Sequence, residues 1–203
     1  MSQVKRRING LSNIHVARME EATNISKNNP TYSTPVPVKG AISAKCDLSY
    51  SEVKFFADNT TDYFDQIFEG GSIELEVSGL TIAEYELLFG MTSQKGGVTA
   101  SSNAVAPALA VMFESKKLGS IDTRKYVIYN CKFAAPSIEA VTNKGTVEET
   151  SMVISGVIGE LANGKQYAFA DSDILESQLA CDNWYNEVQF LDTPAPEVLP
   201  LKK

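Results

Sequence analysis

The sequence predicts a mainly β protein, a sandwich or barrel of antiparallel strands flanked by one short α-helix. Three observations carry that prediction. Residues 41–50 alternate almost without fault: Ile42, Ala44, Cys46, Leu48 and Tyr50 share one face, with Ser43, Lys45, Asp47 and Ser49 on the other. Ile73, Leu75 and Val77 repeat the pattern against Glu74, Glu76 and Ser78. Apolar residues recur at helical spacing in one convincing place, Ile82, Tyr85 and Phe89 with Leu88 beside them, so the helix is expected near residues 82–89.

At 203 residues the chain is long enough to bury a full core. The organisation expected is an N-terminal arm at 1–13, a β-sandwich domain at 14–170, and a C-terminal extension at 171–203. The arm is polar and basic, and Ile14 to Met19 reads as a first strand. Residues 24–37 hold Pro30, Pro35 and Pro37 and read as extended loop, because Pro offers no ladder donor. After the strand at 41–50 the parity slips at Ser51 and Glu52, which reads as a tight hairpin or a bulge.

The helix has its own punctuation. Thr81 with Glu84 spells a capping box, Leu80 and Tyr85 fall where a hydrophobic staple sits, and Gly90 supplies the left-handed stop. Residues 91–103 are polar and small around Gly96-Gly97 and read as a long loop, with Gln94, Lys95, Gly96, Gly97, Val98 and Thr99 as a candidate contact between subunits or rings. Residues 104–114 and 124–133 read as a hairpin. Residues 146–161 and 166–169 read as another, turned by Asn163-Gly164. Residues 172–179 suggest a helical turn or two, and 192–203, with three prolines, an extended tail.

The net charge of −7 and a pI near 4.8 argue against tight nucleic-acid binding, which needs a basic surface. Cys46, Cys131 and Cys181 are odd in number and lack metal-ligand spacing, so they read as buried thiols in a reducing compartment. No apolar run approaches the roughly 18 residues of a membrane span, and no signal-peptide core follows Lys5, Arg6 and Arg7.

Motifs that suggest chemistry fail on inspection. GELANGKQ at 159–166 misses a phosphate loop, since Gln166 replaces the magnesium-binding hydroxyl and the segment joins two strands. His15 is the only histidine and has no partner at ligand spacing. Asp171 and Asp173 lack the rest of a calcium loop. Glu74 and Glu76 read as a wet sheet face, or as a shared negative surface in an assembly. Phe55, Phe56, Tyr63, Phe64 and Phe68 read as core, although adjacent aromatics cannot both point inward, so Phe56 or Phe64 should meet another element or subunit. No enzyme activity, catalytic residue, metal or cofactor is expected.

Four stretches taken together, GLSNIHVARM, YSTPVPVKGAISAKCDLS, FFADNTTDYFD and GSIELEVSGLTIAEYELLFG, resemble the major tail tube proteins of long-tailed, non-contractile bacteriophages, the phi-thirteen type. The later stretch from ALAVMFESKKLGS to ETSMVISGVI fits as well, so the resemblance spans roughly residues 10–170. It implies a virion protein, made in the host bacterial cytoplasm, that assembles with itself into stacked hexameric rings. DNA would pass through the tube as transient cargo, and the tape measure, tail terminator and distal tail proteins would be partners; no membrane is involved. Asp47, Glu74 and Glu76 are the candidate lumen-facing residues, as an acidic wall would not hold DNA. Two other readings stay open: a secretion-apparatus tube of the haemolysin-coregulated type, and a soluble enzyme or ligand-binding β-barrel.

Overall fold

Strand β8 (Thr123–Phe133) is the seam of the molecule, because its far edge is shared between two partners. The structure, a computed structural model, describes residues 7–20, 29–57, 60–101, 103–138 and 151–191. Along one edge β8 pairs with β7 (Leu109–Lys117), and β7 pairs with β1 (Ile8–Arg18), which carries the two-residue β2 (Val36–Pro37). On its other edge, Cys131 to Phe133 pair with β9 (Met152–Ile158), while Arg124 to Ile128 pair with β10 (Tyr167–Asp171). The changeover is at Asn130, whose carbonyl accepts from Gly159 N and whose side chain donates to Glu160 O. β9 leads on to β4 (Thr60–Val77) and then to β3 (Ala41–Ala57) at the edge, every pairing antiparallel.

The sheet folds over so that the inner faces of β1, β7 and β8 meet those of β4 and β9. Val16, Val111, Ile128, Ile73, Leu75 and Ile154 belong to this one core. A bulge between Leu109 and Val111 of β7 and Cys131 and Ile128 of β8 resets the parity, so Ile128 and Cys131 can both face inward. The result is a β-sandwich with one short helix, as the alternation predicted.

Helix α1 (Ile82–Phe89) closes the core with Leu88 and Phe89. Its local code is read as written: Thr81 Oγ1 accepts from Glu84 N, the Glu84 carboxylate accepts from Thr81 N at 2.6 Å, and Gly90 takes φ 64°. A Cβ on Gly90 would also stand 2.4 Å from Val105 O, so glycine is required there twice over. Leu80 and Tyr85 both lean on the main core. Thr81→Ala is expected to lower stability by about 0.5–2 kcal/mol with the fold unchanged. A thermal melt identical to wild type would show that the box contributes nothing.

Several expectations need correction. The hairpin expected from 146–161 and 166–169 does not form among the described residues, which here begin at 151: the turn is present, with Leu161 N donating to Lys165 O, but β9 and β10 diverge to different stretches of β8. Residues 91–103 are not a featureless loop. They contain the hairpin β5 (Thr92–Gln94) and β6 (Gly97–Thr99), turned by Lys95 and Gly96 at φ 52° and 77°, the twist a two-residue hairpin needs. Ser93 N donates to Glu86 of α1 and moors it. No turn occurs at Ser51 and Glu52, since β3 runs through to Ala57 with its register shifts at 41/43, 49/50 and 55/56. β1 begins at Ile8, inside the stretch read as arm.

The stretch read as a C-terminal extension is, through Phe190, part of the packed body. A 3₁₀ turn (Leu175–Ser177), helix α2 (Gln178–Asp182) and the chain beyond lie over the outer face of β1, β7 and β8. There Cys181 and Trp184 bury Ala17, Ala110, Met112 and Val127. β7 is thus covered on both faces, the physical reason that Leu109 to Met112 are continuously apolar. The tail expected at 192–203 lies outside the described residues.

Candidate functional site

The β3–β4 hairpin outruns the sandwich. β9 pairs with β4 only from Gly71 to Val77, so from Tyr50/Phe68 to Ala57/Thr60 the two strands pair only with each other. The departure point is built for a bend. Glu69 is the extra residue of a bulge, Gly70 has φ 121°, and a Cβ on Gly71 would meet Asp47 O at 2.6 Å. At the root of this ribbon Tyr50 donates to Gln166 Oε1 at 3.1 Å and packs edge-on against Phe68.

The ribbon carries apolar side chains on both faces, among polar and charged ones. Register puts Tyr50, Phe56, Phe64 and Phe68 on one side and Val53, Phe55, Tyr63 and Ile67 on the other. Phe56 is 71% exposed and Phe64 70%, and Phe55, Tyr63 and Ile67 are exposed too. The aromatics read as core are therefore not core, apart from the half-covered Phe68. The alternation argument survives in one respect: Phe55 and Phe56 do point opposite ways. Phe55 packs on Tyr63 with ring centres 6.0 Å apart, too little cover for either. A two-stranded ribbon is marginal in water on its own, so one that shows this much apolar surface on both sides is shaped for something else to lie against it.

The remaining sequence candidates fall elsewhere. Asp47, Glu74 and Glu76 share the outward face of β3 and β4, as their parity required, opposite Ile73, Leu75 and Val77. The face is less acidic than sequence suggested, because Lys45 stands across from Glu74 and bonds Asp47 at 2.5 Å. Glu76 accepts from Ser43 and from Ser151 Oγ at 2.6 Å. Val153 and Val157 of β9 continue this face and are exposed. The β5–β6 hairpin, holding Gln94 to Thr99, sits beside α1 and away from that face.

Residues that might have carried chemistry are engaged structurally. His15 Nδ1 lies 3.0 Å from Asn13 O, and its ring packs on Tyr185. Lys165, the would-be phosphate-loop lysine, bonds Asn29 Oδ1. Asp171 and Asp173 hold the buried Lys117 at 3.0 and 2.5 Å, and Arg124 grips Asp171 with two nitrogens at 2.6 and 2.8 Å. Burial pushes the Cys46 thiol up to about 11 and Cys131 also upward, so neither supplies a thiolate nucleophile at neutral pH. Among the described residues no cluster of His, Cys, Asp and Glu is placed to hold a metal, and no helix is long and apolar enough to cross a membrane.

Compared with protein-family models and with curated proteins, the chain matches none. Among solved structures it is similar to a chain of the "anti-feeding prophage cap (AFP tube terminating cap)", determined by cryo-EM, at 13% identity and a TM-score of 0.43, over 84% of this chain and 99% of that one. The likeness is loose.

Proposed function

We propose that this protein is a structural subunit that assembles with copies of itself into a tube, and that the tube is the tail conduit of a long-tailed bacteriophage. The observation that carries the reading is the ribbon: with exposed apolar side chains on both faces, it leaves the body as if to be clasped by neighbours on either side. Five exposed residues, Phe55, Phe56, Tyr63, Phe64 and Ile67, present apolar area on the order of 600 Å², close to the roughly 800 Å² that one partner contributes to a standard interface. The open edge of β3 adds unpaired backbone that a neighbour can cover. The resemblance of residues 10–170 to tail tube proteins supports the same reading and adds its finer parts: stacked hexameric rings, DNA as passing cargo, and contacts with tape measure, terminator and distal tail proteins. The outward face of Asp47, Glu74 and Glu76 is the wall we assign to the channel. No catalytic step belongs to this reading.

Negative-stain and cryo-electron microscopy of the concentrated protein test it. Rings or tubes are expected from the wild type, and monomers from Phe56→Ser/Phe64→Ser, whose exposed positions leave folding intact. A wild type that stays near 22.1 kDa at high concentration overturns the proposal. A map with Glu74 on the outer surface removes the channel assignment alone.

A further inference from the structure

The C-terminal strap, residues 175–190, lies on the sheet without joining it. Among the described residues its backbone–backbone bonds from Gln178 on close within the strap: Asn183 N donates to Leu179 O, Trp184 N to Cys181 O, and Asn186 N and Glu187 N to Asn183 O. The ties across to the sheet each have a side chain at one end. Trp184 Nε1 donates to Tyr126 O at 3.3 Å, Lys125 Nζ to Cys181 O at 3.1 Å, and the Tyr129 hydroxyl to Gln189 O at 2.9 Å. Beneath them the ladder from β1 through β7 and β8 to β10 is complete, so lifting the strap breaks no strand pairing.

The face under the strap is also the weaker of the two apolar contacts of the sheet. It holds Ala17, Ala110, Ala168 and Ala170 beside Met112 and Val127, whereas the inner core is built of Val, Ile, Leu and Phe. Apolar stabilisation follows the area removed from water, so baring the outer face costs less than parting the sandwich. The start of the strap adds little, since Leu175 is 81% exposed and Leu179 62%; Cys181 and Trp184 carry the contact. A five-residue helix does not persist alone, so a lifted strap unfolds. Its root stays fixed, with Ser172 N donating to Thr123 O at 3.0 Å and Asp173 holding Lys117 at 2.5 Å. We infer that the strap is a hinged cover, turning about residues 174–177, that opens as one unit while the sandwich keeps its fold. The closed subunit hides the outer face of β7 and the open one presents it, so two surfaces alternate at one place. The inference does not depend on the self-assembly reading.

Two buried thiols report on it. Cys181 is on the strap and Cys131 is in the inner core, so opening of the cover bares the first, whereas the second waits for the sandwich to unfold. Wild-type protein is treated with iodoacetamide at mildly alkaline pH, modification is followed at each site by mass spectrometry of the digest, and amide exchange of the strap and of β7 is measured in parallel. Cys181 is expected to react at least about tenfold faster than Cys131, at a rate that low urea scarcely changes. Cys131 should speed up steeply with urea, because its opening exposes the whole core. The amides of Trp184 and Glu187 should return the same opening constant as the Cys181 thiol, while those of β7 stay protected for longer. Equal rates at the two cysteines, with the same urea dependence, overturn the inference, because the strap then leaves only when everything unfolds. An opening constant that differs between the Cys181 thiol and the strap amides also overturns it, since the strap then frays piece by piece and does not swing as a cover.

Discussion

Trp184→Ala is expected to cost about 3–5 kcal/mol, a large share of the roughly 5–15 kcal/mol that stabilises an ordinary domain. Trp184 is 1% exposed and sits on the outer face of β7 and β8, its Nε1 donating to Tyr126 O at 3.3 Å. Its removal leaves a void against Met112 and Val127, and the C-terminal strap, residues 175–190, has few other anchors of that size. Tyr129 gives two of them, stacking on Phe190 at 4.7 Å and donating to Gln189 O at 2.9 Å. Urea unfolding should show the midpoint falling sharply. A loss below about 1 kcal/mol would mean that the strap is peripheral and that β1, β7 and β8 are stable without it.

The second large effect is expected from Asp171→Ala, again about 3–5 kcal/mol. The Lys117 side chain is 0% exposed and would keep only Asp173, while Arg124 would lose both of its bonds to that carboxylate. The Arg124 guanidinium, with Lys117 behind it and against the opposing pull of burial, holds the Asp171 carboxyl below its usual range. Its folded pKa is thus lower than its unfolded one. The stabilisation is complete above about pH 4 and is lost as pH falls through the folded value. Burial alone would lower the pKa of Lys117, but the carboxylates of Asp173 and Asp171 outweigh it and the net direction is upward. That contribution is complete below about pH 10.4 and disappears at higher pH. Melting temperatures should therefore fall below about pH 4 in the wild type, and less steeply in Asp171→Ala. Equal slopes for the two proteins would assign acid sensitivity to other carboxylates.

What was legible in the sequence was what is decided locally. Thr81, Glu84 and Gly90 each act within one turn, and the faces of residues 43–48 and 73–77 follow from parity alone. What was not legible depends on distant partners. The Asn163-Gly164 turn is real, but nothing near it says that β8 offers one stretch to β9 and another to β10. Trp184 lies in a segment without periodicity, and its burial is set by the outer face of β7, over 70 residues earlier. Val53, Phe55, Tyr63 and Phe64 look like any strand packed on a core, since alternation reports a covered face without saying whether the cover comes from the same chain. The β5–β6 hairpin escaped for the opposite reason: three-residue strands of Thr, Ser, Gln and Gly have no pattern to read, and only Lys95-Gly96 hinted at the turn.

The late strap also sets a clock during synthesis. The ribbon at 50–68 is translated about 120 residues before the strap residues 181–190. At roughly 5–20 residues per second, the interval is about 6–24 s. Throughout it the aromatic ribbon is already made, and from the synthesis of β7 onward the outer face of that strand has nothing to cover it. A polysome translating this message thus displays, side by side, many nascent chains with sticky hairpins and unfinished bodies. For each chain the exposure of the β7 face ends once Trp184 docks, whereas the hairpin keeps its aromatics exposed in the finished subunit.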